Sequence, residues 1–164
     1  MKSTLTLLTA LLLAPLAALA QNSETRPDSE QAAFFEEHIL WQNKEDNAWP
    51  YHVYGLVQSA KGTLLAFAEG RQGTGGDADP HHLVVKRSAD GGRTWSRNIY
   101  VERADGSFWA ANGQPGKLEC WTNTGPVVDE KTRRVFFFYA LNEGTRHQNW
   151  TRVFYRYSAD DGLT

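Results

Sequence analysis

The sequence predicts an all-β protein, and within that class a β-propeller, on three observations. A turn motif occurs twice with the same internal spacing, SADGGRTWS from Ser88 and SADDGLT from Ser158, the two starts 70 residues apart. Each copy follows a strand-like run, at 83–87 and 153–157. Short β-branched and aromatic runs recur between turn signals, and no convincing long helical periodicity competes with them. A supersecondary unit repeated at a fixed interval is the mark of a repeat architecture, and for all-β chains of this kind a propeller.

Taken in order, the chain opens on Lys2 and an apolar run over 5–20 that ends Ala18-Leu19-Ala20. This reads as a secretory signal peptide cleaved after Ala20, which predicts a secreted or periplasmic product. The run is short for a membrane span and contains Pro15, so stable membrane insertion is not expected. Residues 21–37 carry five acids and one Arg and read as a polar lead-in. Residues 38–164 read as the folded part, with 34–41 as its first ordered element. Strands are expected at 52–58, 63–69, 83–87, 98–102, 124–128, 135–139 and 153–157. Turn signals separate several of them, at 60–62, 73–76, 90–92, 105–106 and 129–132.

In the turn motif Asp-Gly favours a hairpin, because Gly reaches positive φ without steric cost. Asp90 is expected to accept backbone N–H groups of its own turn, and Trp95 to pack beside it. A propeller blade takes roughly 40–50 residues and closure needs about four to eight blades. The residues after Ala20 hold about two to three, and an open set leaves a bare sheet edge. The chain is therefore read as the N-terminal portion of a longer protein.

The formal net charge of the 164 residues is −2, with no basic excess of the kind a nucleic-acid binder carries. Six Trp, six Tyr and eight Phe suit a β protein or a sugar binder. Cys120 is the one cysteine, so no intrachain disulfide is expected. Asn149-Trp-Thr151 is a glycosylation sequon. The segment 77–82, DADPHH, places Asp77 and Asp79 beside His81 and His82. Adjacent histidines in a strand point to opposite faces, and no spacing here matches a metal motif, so neither a metal nor a cofactor is expected. Trp121 is a candidate for stacking on a sugar face, although a Trp is more often core and core is the favoured reading. Glu143 and His147 lie in a loop that could border a site.

The pattern S-x-D-x-G-x-T-W resembles the Asp-box, or BNR repeat, of the sialidase (neuraminidase) superfamily. The resemblance extends over about 51–164: KGTLLAFAEGR at 61–71 is similar to the second strand of the first sialidase blade, and GPVVDEKTRRVFFFYALNEG at 125–144 to the opening of the next. It implies a propeller of six blades when complete, and an exo-glycosidase that hydrolyses terminal sialic acid or a related acidic sugar from glycans. A glycan is the partner implied, and the protein is expected to be a monomer. The resemblance implies that Asp77 is the acid/base, a proton donor to the leaving glycosidic oxygen that works best when held partly out of water. It implies that Arg71, in the AEGR stretch, lies beside the substrate. His52 stands where the family has the first of three carboxylate-gripping arginines, and Tyr54 where it has Pro. The Tyr nucleophile, its Glu and two further Arg would lie beyond Thr164, and the fragment alone would be inactive. The aspartates of the two turns, Asp90 and Asp160, are then structural. Two other readings stand beside this one. The first is a propeller polysaccharide lyase acting on uronic-acid glycans, with His52 and His81 or His82 as base or carboxylate neutraliser. The second is a non-catalytic carbohydrate-binding propeller.

Overall fold

A computed structural model describes residues 35–143 and 150–164. The expected signal peptide, most of the polar lead-in, His147 and Asn149 of the sequon lie outside the described residues. Residues His38–Thr164 form one compact unit, separate from Met1–Glu37.

All seven expected strands form: β1 (Tyr51–Gln58), β2 (Leu64–Arg71), β3 (His81–Ser88), β4 (Ile99–Glu102), β5 (Cys120–Asp129), β6 (Arg134–Asn142) and β7 (Thr151–Ser158). They make two antiparallel meanders. In the first, β1 pairs β2, β2 pairs β3 and β3 pairs β4; in the second, β5 pairs β6 and β6 pairs β7. A single parallel bridge, His81 to Cys120, joins the two. The meanders also touch through β1 and β5, where the Thr124 hydroxyl donates to the Val53 carbonyl at 2.8 Å. Gly55 lets them approach: a Cβ there would lie 2.7 Å from Cδ of Pro126. Two up-and-down meanders set side by side at their first strands are the arrangement of neighbouring propeller blades.

The core lies between the meanders. Phe67 of β2 stacks on Phe137 of β6 with ring centroids 4.4 Å apart, and Leu65, Leu83, Val85, Trp109, Trp121, Tyr139 and Leu141 close around them. A smaller cluster of Ala48, Tyr51, Ala68 and Val84 covers the opposite face of the first meander.

Both turn motifs fold alike. Ser88 Oγ donates to Asp90 at 2.8 Å, Gly92 N–H donates to Ser88 Oγ at 2.8 Å, and Thr94 donates to Asp90 from its backbone N–H at 2.9 Å and its hydroxyl at 2.6 Å. The corresponding contacts of Ser158, Asp160, Gly162 and Thr164 measure 2.7, 2.8, 3.0 and 2.7 Å. The hydroxyl and backbone donors hold the Asp90 and Asp160 carboxyls well below the usual carboxylate range. The indole of Trp95 donates to the Gly92 carbonyl, beside the turn as expected. The second turn docks on the first meander: the Arg87 guanidinium donates to the Asp161 carbonyl at 2.9 Å, and a Cβ on Gly162 would meet Leu65 at 2.8 Å.

One expectation is corrected, and two features go beyond those expected. Residues 35–41 form neither helix nor strand; Leu40 and Trp41 are held in place, with the Trp41 indole donating to Asn98 and Lys86 donating to the Leu40 carbonyl. A short helix, α1 (Ser107–Ala111), follows β4. Its first N–H groups bond to two carboxylates: Ser107 N–H to nearby Asp105 at 3.0 Å, and Gly106 N–H and Phe108 N–H to buried Glu119 at 2.7 and 3.0 Å. β5 begins at Cys120, before the run expected at 124–128. Asn123 there adopts φ 62°, a left-handed conformation that Asn tolerates, at a shift in strand register.

Candidate active site

In β2, residues 65, 67, 69 and 71 share one face by strand alternation. Leu65 and Phe67 put that face in the core, and Glu69 and Arg71 continue it as a polar end. Register brings His81 opposite Arg71 and Leu83 opposite Glu69 from β3, and His52 opposite Glu69 from β1. The parallel bridge adds Cys120, and β5 adds Thr122.

Glu69 is the node of this polar end. It is fully buried, and its carboxylate accepts four hydrogen bonds. Oε2 takes Nε and Nη2 of Arg71 at 3.1 and 2.9 Å; Oε1 takes the Thr122 hydroxyl and the Asn123 N–H, both at 2.7 Å. A buried carboxylate is tolerable only when paired and hydrogen-bonded in this way. One residue thus orients Arg71 and holds the left-handed Asn123 backbone of the neighbouring meander.

The remaining nitrogen of Arg71, Nη1, donates to the Asp77 carboxylate at 2.7 Å and to the Gly75 carbonyl at 3.1 Å. Burial works against the charge on Arg71, and the hydrogen bonds and charges of Glu69 and Asp77 outweigh it, so its pKa is raised. Asp77 itself projects from the glycine-rich loop with its side chain 93% exposed. The carboxyl held partly out of water that acid/base work favours is therefore not what the described residues provide. Asp79 has a different task. It accepts the N–H and hydroxyl of Thr74 at 2.9 and 2.6 Å and the Gly76 N–H at 3.0 Å, which ties the loop to itself. These donors lower its pKa, the Thr74 hydroxyl most.

The two histidines part company. His81 is fully buried on the Glu69 face, where Nε2 meets the Gly76 carbonyl at 3.0 Å. His82 lies on the other face: its Nδ1 accepts the Ala104 N–H at 2.8 Å, and its ring meets Tyr100 edge-on. Burial pushes both imidazole pKa values down. Gln72 also contacts the His82 Nε2, and the ring does not join the Arg71–Asp77 cluster. His52 is exposed on the cluster's face and makes no hydrogen bond among the described residues. Trp121 is core, 2% exposed, with its indole donating to the Arg103 carbonyl at 3.0 Å; it has no free ring face to offer a sugar. Glu143 pairs with Arg152. Glu69 and Cys120 carried no signal in the sequence, since what marks them is contact between strands far apart in the chain.

The class defined so far is an all-β fold of two propeller-type meanders with an arginine–carboxylate cluster at their junction. No family model matches the chain. Among curated proteins it is similar to a sialidase of Bacteroides fragilis, 32% identical over 105 residues, which is 63% of this chain and 19% of the relative. A sialidase of Clostridium perfringens is 28% identical over 134 residues, 78% of this chain and 34% of the relative. A sialidase of Micromonospora viridifaciens is 28% identical over 110 residues. The chain thus spans about a third or less of these relatives' length. Among solved structures the fold is similar to the Hadza microbial sialidase Hz136, with TM-score 0.61 and 24% identity over 73% of this chain and 25% of that one. It is also similar to the intramolecular trans-sialidase from Ruminococcus gnavus, with TM-score 0.50 and 22% identity over 58% of this chain and 22% of that one. In sequence the chain is thus similar to sialidases over most of its described length, and in fold to the sialidase structures. No helix among the described residues is long and apolar enough to cross a membrane.

Proposed function

We propose that the full-length protein is an exported sialidase-type exo-glycosidase that removes a terminal acidic sugar, sialic acid or a close relative, from a glycan. The observation that carries this reading is the likeness to sialidases in sequence, which covers the stretch from which Arg71 and the solvent-facing Asp77 project together. Asp77 is the acid: its carboxyl gives a proton to the glycosidic oxygen as the bond to the anomeric carbon breaks, and recovers it from the water that completes hydrolysis. Arg71, held rigid by Glu69 and with Nη1 given to Asp77 and Gly75, orients Asp77 and supplies positive charge beside the anionic substrate. His52 has no partner to give up and faces the same side. Its imidazole N–H would add a donor to the carboxylate grip. Residues 1–20 are the export signal in this reading, and the Tyr nucleophile is not among the residues assigned here.

The test is incubation of the full-length protein with a sialylated glycan and a fluorogenic sialoside. The expected products are free acidic sugar and saturated glycan ends. Asp77→Asn should lower turnover roughly 100- to 10,000-fold. Retention of the wild-type rate by that variant would remove Asp77 from the chemistry. New ultraviolet absorbance from an unsaturated product would replace hydrolysis with elimination, and sugar binding without turnover would replace catalysis with recognition.

A further inference from the structure

We propose that His81 is a positioning residue for Asp77, clamping the backbone of the loop from which that carboxylate projects. The inference rests on Asp77 being the acid of the reaction proposed above. An exposed carboxyl has few contacts of its own to place it. Its position is then set by the backbone beneath it, and that backbone contains Gly73, Gly75 and Gly76, residues with wide conformational freedom.

Three consecutive carbonyls of this loop are each held by a side chain from a different strand. Arg71 of β2 donates to Gly75 O at 3.1 Å, His81 of β3 donates to Gly76 O at 3.0 Å, and the thiol of Cys120 in β5 donates to Asp77 O at 3.4 Å. All three side chains are buried. A carbonyl only accepts, so the His81 proton is on Nε2. Its Nδ1 then faces Glu69 Oε2 at 3.6 Å and Cys120 Sγ at 3.8 Å. The titratable and charged groups around the ring are thus Glu69 and Arg71 from β2, Cys120 from β5, and Asp77 from the loop. Burial favours the neutral ring, which has one donor, and the loop receives it. The Arg71 contact serves the substrate-facing guanidinium as well. His81 is fully buried, and Gly76 O is the hydrogen-bond acceptor of its ring, so its contribution to the reaction runs through the loop.

The experiment uses the full-length protein and three variants. His81→Ala removes the donor. His81→Asn offers a donor only near the Nδ1 position. His81→Gln keeps an N–H near Nε2. Amide hydrogen exchange of the peptide covering residues 72–80 is read first, because it needs no turnover. The Ala and Asn variants should exchange about tenfold faster in this peptide, and the Gln variant near the wild-type rate. Cys120→Ala is a second probe that leaves His81 in place, and should quicken exchange in the same peptide. Unchanged exchange in the His81→Ala and Cys120→Ala proteins overturns the clamp. On a sialoside, kcat should fall in the Ala and Asn variants with KM within about twofold, and return in Gln. A loosened loop with unchanged kcat, or equal loss in Gln and Ala, overturns the positioning role. A wild-type protein that turns over no sialoside defeats the proposed function instead, and leaves the exchange result to decide the clamp.

Discussion

Arg71 donates to Glu69 through both Nε and Nη2, at 3.1 and 2.9 Å, with the carboxylate fully removed from solvent. This paired contact keeps the third nitrogen of the fork pointing at Asp77. It also ties the two meanders together, because the other Glu69 oxygen belongs to Thr122 and Asn123 of β5.

Glu69→Ala should therefore unfold the protein more easily as well as slow it. Removing one partner of a buried ion pair leaves a buried charge uncompensated, at about 3–5 kcal/mol. Urea denaturation of the full-length protein followed by Trp fluorescence checks the stability loss. A midpoint unchanged from wild type would mean that the Arg71 charge is compensated elsewhere.

The interior between the meanders should be equally sensitive. Phe137→Ala deletes the ring stacked on Phe67 and should cost about 3–5 kcal/mol. Phe137→Leu keeps most of the volume and should cost clearly less. Thermal unfolding of the two variants side by side tests the ordering.

The twin turns predict acid sensitivity of a definite sign. Asp90 and Asp160 have depressed carboxyl pKa values in the folded chain. Their contribution is present above the unfolded value, about 3.9, and is lost as pH falls below it. The double variant Asp90→Asn, Asp160→Asn should thus be less stable than wild type at neutral pH, with the difference shrinking towards low pH. A gap that stays constant from pH 6 to about 2 would show that the turns draw nothing from the charged form.

Cys120 should be a poor nucleophile while the chain is folded. Burial, and secondarily the negative charge of Glu69, push its thiol up to about 11. Since the thiolate is the reactive form, an aromatic disulfide reagent at pH 8 should label it far more slowly in the native protein than in denaturant. Labelling at equal rates would place the thiol in water.

Local pattern alone determined most of the fold. Short runs of apolar, β-branched and aromatic residues mark the strands, from 52–58 to 153–157, and those of β2 and β3 are near-continuous because both faces are buried. The spacing of Ser, Asp, Gly and Thr specifies the turns, because those four residues satisfy one another within seven positions. The sequence also selected Arg71 and Asp77, through their likeness to a known motif. Tertiary structure decided the rest. It separated His81 from His82, put Trp121 in the core, and gave Glu119 the α1 N-terminus. It also tied Glu69 to β5 and set the Cys120 thiol against the Asp77 carbonyl. The contacts of Glu69 and Cys120 join residues far apart in the chain, such as Cys120 with His81, 39 positions away, and Asn123 with Glu69, 54 positions away. Such contacts exist only once β2, β3 and β5 lie side by side, so no periodicity along the chain records them.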